Sequence, residues 1–132
     1  MPGSELEKLS PYLQQISDHI GQITLEDYIE RNTIEPTHLG FIRGRDLKNS
    51  IIIADEAENL TRQHIQLLIG RVSQGSSLWI CGDLKQCDLN LTERNSGIQA
   101  TIDNLAGNPL FGMVKLIKSE RSEVAALADL LD

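Results

Sequence analysis

The sequence predicts an α/β protein with a parallel sheet, on two observations. Short apolar runs, continuous rather than alternating, are separated by stretches with apolar residues at helical spacing, which is the rhythm of strand, helix, strand. Each run also leads straight into a polar cluster, and ligands of parallel sheets bind beyond the carboxyl ends of their strands.

The elements follow in chain order. Ser4 with Glu7 fits a capping box, and Ser10-Pro11 is a second helix start with proline at the first helical position. Leu13, Ile16 and Ile20 then share a face until Gly21 stops the pattern. Thr24 is read as the cap of a short helix through Tyr28 and Ile29 that ends near Asn32, and a loop with Glu35-Pro36 leads through Leu39 and Phe41 to Arg43-Gly44-Arg45. Ile51–Ala54 has the pattern of a strand buried on both faces. Thr61 caps a helix carrying Ile65, Leu68, Ile69 and Val72, and Gly75 precedes the next buried strand, Leu78-Trp79-Ile80-Cys81, with Trp79 expected in the core. Ile98, Ile102 and Leu105 mark a further helix stopped by Gly107-Asn108-Pro109. Residues 113–117 read as a third strand, and Ser122 caps a last helix with Val124, Leu127 and Leu131. The helical stripes are expected to be core.

Length and composition limit the function classes. The chain has 132 residues and a formal net charge of -7, with 40% hydrophobic and 4% aromatic residues, which is room for one domain of ordinary globular make-up. No uninterrupted apolar run, Ile51–Ala54 included, comes near the roughly 20 residues a membrane helix needs. The start Met1-Pro2-Gly3-Ser4-Glu5 has no signal-peptide character, so a cytoplasmic location is expected. An acidic chain does not hold nucleic acid by its whole surface, so any such contact must be local. Cys81 and Cys87 have neither a disulfide framework nor zinc spacing and are read as reduced thiols. His19, His38 and His64 are scattered and read as structural or surface residues.

Three polar clusters fall on one edge of the expected sheet: Asp55-Glu56-Ala57-Glu58-Asn59, Gly82-Asp83-Leu84-Lys85-Gln86-Cys87-Asp88 and Lys118-Ser119-Glu120-Arg121-Ser122. The chemistry this suits is phosphoryl transfer. Three apolar residues, alanine and Asp-Glu have the form of a Walker B segment, in which Asp55 holds Mg²⁺ and Glu56 orients or deprotonates the attacking water. Gln86 would hydrogen-bond the γ-phosphate or that water, and Arg121 would act as an arginine finger or sensor. The bland alternative for Arg121 is an ion pair with Glu120 or Glu123.

These motifs together resemble the PhoH-like ATPases, phosphate-starvation-inducible P-loop proteins related in their core to superfamily-one helicases. Phe41-Ile42-Arg43-Gly44-Arg45, Ile51 to Asn59 and Gly82 to Leu89 carry the resemblance, and Ser96-Gly97-Ile98, residues 118–122 and Met1-Pro2-Gly3 with Pro11-Tyr12-Leu13 extend it over essentially the whole chain. The resemblance implies a three-layer, P-loop NTPase-like (RecA/helicase-like) parallel sheet, with ATP and Mg²⁺ as cofactors and Gly82 and Asp83 at the nucleotide. It implies one domain over 1–132, a helical lead-in over 1–45 and an α/β core over 46–132. RNA or single-stranded DNA would be met by Arg43 and Arg45, for which the alternative is a solvated turn paired with the acidic surface.

Two departures stand out. Glu58 occupies a position where the family usually has Gln, and no Gly-x-x-x-x-Gly-Lys-Ser/Thr occurs anywhere in the chain. The expectation is the C-terminal part of such an ATPase domain, truncated on its N-terminal side and catalytically incomplete for want of a phosphate cradle. In the related fold the P-loop strand lies beside the strand ending at Gly82-Asp83. The edge 78–81 is therefore expected to be covered by a partner chain in a homo-oligomer, by a rearranged N-terminal segment or by a rebuilt sheet. Two other functions fit the same residues: a non-catalytic interaction module on the same fold, and a Mg²⁺-dependent nuclease or phosphohydrolase using Asp55, Glu56, Asp83 and Asp88.

Overall fold

The computed structural model describes residues 10–84, 96–117 and 120–131. The Ser4–Glu7 capping box, Lys85, Gln86, Cys87, Asp88, Lys118 and Ser119 lie outside the described residues. Two helices open the chain, α1 (Ser10–Ile20) and α2 (Gln22–Glu30). Gly21 joins them at φ +88, a left-handed conformation in which a side chain would be strained, and its N–H still donates to the Ser17 carbonyl at 2.7 Å. The second helix thus begins before Thr24, directly after the glycine, because the chain turns rather than unwinds there. Ser17 and Leu25 are buried where the two helices pack.

A short helix, α3 (Leu39–Ile42), precedes β1 (Ile51–Ala54). A 3₁₀ turn over Ala57–Asn59 and helix α4 (Arg62–Arg71) lead to β2 (Ser77–Ile80), which lies parallel to β1 with Ile51 opposite Ser77 and Ala54 opposite Ile80. Strand, helix and parallel strand make the expected βαβ unit. Thr61 caps α4 as its sequence predicted: its Oγ1 accepts from the His64 N–H, and His64 Nδ1 accepts from the Thr61 N–H. Helix α5 (Gly97–Leu105) packs on α4, and α6 (Glu123–Ala126) with a 3₁₀ turn over Leu127–Leu131 closes the chain, capped by Ser122.

Several expectations are corrected. Among the described residues the sheet has two strands, and residues 113–117 belong to none. A strand forms by pairing its backbone groups with a neighbour, and among the described residues none pairs with this segment, whose Val114, Leu116 and Ile117 are all exposed. The strands are also buried on one face rather than two: Ile51 and Ile53 are 75% and 69% exposed, while Ile52 and Ala54 are half-buried. Trp79 shares the open face at 62% exposure and is not core. Nor are all the helical stripes, since Ile69, Val124, Leu127 and Leu131 are exposed. The core is made of Leu25, Ile42, Ala57, Ile65 and Leu68, buried with Ser17, Glu58 and Ser96. No described residue pairs with the far edge of β2, so neither a rebuilt sheet nor a described part of the N-terminal segment provides the expected cover.

No helix among the described residues is long and apolar enough to cross a membrane.

Candidate active site

The carboxyl ends of β1 and β2 are tied together by their backbones. The Cys81 N–H donates to the Ala54 carbonyl and the Ala57 N–H donates to the Cys81 carbonyl, both at 2.9 Å. Between Ala54 and Ala57 the chain must reverse sharply, and it does so at Glu56, with φ 51 and ψ 40. A left-handed conformation costs a non-glycine residue about 1–2 kcal/mol, and such residues concentrate where a side chain must be aimed. The Glu56 N–H donates to Asp55 Oδ1 at 2.8 Å, so the aspartate folds over its own turn and stays at the strand end.

The second carboxylate has a longer-range partner. Tyr12, near the start of α1, donates its hydroxyl to Glu56 Oε2 at 2.6 Å. That hydrogen bond, then burial, then the charges of Glu56, Asp55 and Glu58 push the Tyr12 hydroxyl from an ordinary pKa of 10 up to about 12. Three acidic side chains therefore bear on this one phenol, which stays a neutral donor at physiological pH.

Behind them the strand ends are closed by packing. A Cβ on Gly82 would stand 2.7 Å from Ile98 Cδ1, 2.9 Å from the Glu58 nitrogen and 3.0 Å from Glu58 Oε2, so only glycine fits where β2 meets the buried Glu58. Gly97 is tighter, because its Cβ would lie 2.5 Å from the Thr61 carbonyl oxygen. The Ser96 side chain, 1% exposed, caps α5 there, and the Gly97 N–H donates to the Leu60 carbonyl at 2.9 Å.

Among the residues expected from sequence, Asp55, Glu56, Gly82 and Asp83 stand together at the carboxyl ends of the paired strands. Gly82 is held there by its packing against Glu58 and Ile98. Gln86 lies outside the described residues. Arg121 makes its ion pair with Asp129 at 2.6 Å, within the exposed C-terminal segment, and not with Glu120 or Glu123. Arg45 grips Glu35 through both guanidinium nitrogens, at 2.8 and 3.2 Å, and holds that carboxyl below its usual range. Arg43, beside it, is exposed and enters the turn at Gly44, where φ is +80. This turn precedes the amino ends of the strands, and the carboxylates follow their carboxyl ends. His38 and His64 both serve helix starts: His38 Nδ1 accepts from the Gly40 N–H at 3.0 Å.

Sequence reasoning gave Tyr12 no role. It lies 44 residues from Glu56, and no local spacing signals the contact. A di-metal hydrolase would need its carboxylates to converge. Among the described residues no group of three or more His, Cys, Asp or Glu is arranged to hold a metal.

A parallel βαβ unit with carboxylates beyond its strand ends defines a protein of the α/β class, in which ligands bind at that edge of the sheet. The sequence model of the PhoH-like protein family matches residues 1–128, and the chain belongs to that family, one of P-loop ATPases. It is 38% identical to the protein PhoH2 of Bacillus subtilis, over 99% of this chain and 32% of that protein. It is 37% identical to PhoH2 of Mycolicibacterium smegmatis, over 96% of this chain and 30% of that protein. A PhoH-like protein of Bacillus subtilis is 32% identical over 91% of this chain and 39% of its own length. The chain thus spans about a third of the length of the relatives it matches.

Proposed function

We propose that the chain is the Walker B half of an ATP-hydrolysing module. The observation that carries this reading is the placement of Asp55 and Glu56 at the carboxyl end of β1, beside Gly82 and Asp83 at the end of β2. Mg²⁺ is bound through one or two carboxylates, with water and substrate phosphates completing its octahedron, and the hard oxygens of Asp55 suit it as that carboxylate ligand. When bound, the ion would neutralise charge on the β and γ phosphates of ATP. Glu56 accepts a hydrogen bond from the attacking water and orients it. Gln86 and Arg121 are the further candidates for the γ-phosphate, with Arg121 first leaving Asp129. The phosphate cradle itself has no counterpart among these 132 residues, so the chain by itself is expected to be catalytically incomplete. The acidic, cytoplasmic module would meet RNA or single-stranded DNA only locally, at Arg43 and Arg45.

The test is ATP- and Mg²⁺-dependent thermal shift and turnover, first on this chain and then on a version extended by a P-loop segment. Turnover is expected only in the extended version and is expected to be abolished by Glu56→Gln. Turnover by the short chain that Glu56→Gln abolishes would overturn the incompleteness, and no response from either would overturn the ATPase reading. A second reading, an interaction module on the ATPase fold, is favoured by the open apolar face of Ile51, Ile53 and Trp79.

A further inference from the structure

A glutamate that orients water must hold its carboxylate still, and a glutamate side chain is long and freely rotating. At Glu56 the left-handed backbone fixes where the side chain starts, and the Tyr12 hydrogen bond fixes where it ends. The donor is not carried on a loop. Tyr12 sits half-buried in α1, and that helix is anchored against α2 through the buried Ser17 and Leu25. The two carboxylates of the strand end are held by different donors, Asp55 by a backbone N–H and Glu56 by a phenol. A phenol differs from a lysine in that it fixes the carboxylate without neutralising it.

From these observations we infer that Tyr12 is a positioning residue for Glu56: its hydroxyl holds Oε2 and leaves Oε1 to accept from the attacking water. The inference rests on the reading of Glu56 as the water-orienting carboxylate. It makes the lead-in helix part of the active site, because α1 then completes a constellation otherwise built by β1 and β2.

Two measurements test it. In the full 132-residue chain, labelled tyrosine should show its Tyr12 Cζ resonance moving on Glu56→Gln. Relaxation of the Glu56 side-chain methylenes should report greater motion in Tyr12→Phe, while amide resonances away from the strand ends keep their positions. Unchanged Glu56 motion in Tyr12→Phe overturns the inference. In the P-loop-extended chain, Tyr12→Phe should lower kcat roughly tenfold with KM for ATP nearly constant. An unaltered kcat in Tyr12→Phe, with turnover abolished by Glu56→Gln, refutes the role of Tyr12 and leaves the reading of Glu56 standing. Parent-like turnover in both variants refutes the reading of Glu56 and the role of Tyr12 with it.

Discussion

Glu56 holds two constraints that pull in one direction. Its left-handed backbone conformation is unfavourable for a residue with a side chain, and its carboxylate is tied to a helix 44 residues away. A glycine would turn the chain at less cost, so the acid is retained at the expense of local stability. The Tyr12 contact also sets a pH window. The hydroxyl ionises at about 12 in the folded chain against 10 in an unfolded one, so a raised folded value stabilises the fold below pH 10. Above pH 10 the unfolded chain sheds this proton first, and the contribution is lost as pH rises toward about 12. Chemical denaturation at pH 9 and pH 11 should show a larger loss of stability in the parent than in Tyr12→Phe. Equal losses would mean that the hydroxyl is not tied to a carboxylate in solution.

At the scale of elements, the segment from β1 to α4 is the most fully specified part of the chain. Asp55 caps its own turn, Thr61 and His64 close a reciprocal capping box, and Gly97 lets α5 approach the Thr61 backbone as closely as a hydrogen bond to Leu60 requires. The Arg43-Gly44-Arg45 turn is specified differently. Both arginines are exposed, but Arg45 is committed to Glu35, so Arg43 is the one an RNA backbone would meet first. Titration with labelled single-stranded RNA should give a salt-dependent shift that is lost in Arg43→Ala/Arg45→Ala and weakened by Arg43→Ala alone. Binding indifferent to both substitutions would refute this contact and leave the turn as an acidic-surface ion pair.

At the scale of the whole molecule, what distinguishes this chain is an α/β sheet covered on one face. Ile51, Ile53 and Trp79 lie open on a sheet that has two strands among the described residues, and Met113, Val114, Leu116 and Ile117 are exposed as well. The single tryptophan reports on this face. At low concentration Trp79 emission should be solvent-like and readily quenched by acrylamide, shifting to the blue as the chain self-associates. Ile53→Lys, on the same face, should suppress that shift. A shielded Trp79 in a chain of monomeric mass would show that the face is covered from within.

The sequence by itself determined what depends on near neighbours. Helix starts at Ser10, Thr61 and Ser122, the stop at Gly21, both paired strands and the Asp55-Glu56 strand end were legible there. Each rests on residues a few positions apart, on hydrogen bonds and steric limits that a short stretch carries within itself. Only the tertiary structure decided which apolar runs find cover and which side chains meet. An apolar run states that burial is favourable and cannot state that a partner is present, so Trp79 and Ile53 stand exposed where their pattern predicts burial, and 113–117 stands exposed where its pattern predicts a strand. Nor could spacing join Tyr12 to Glu56, because that contact depends on how α1 docks against the strand ends, a relation between elements that no local pattern encodes.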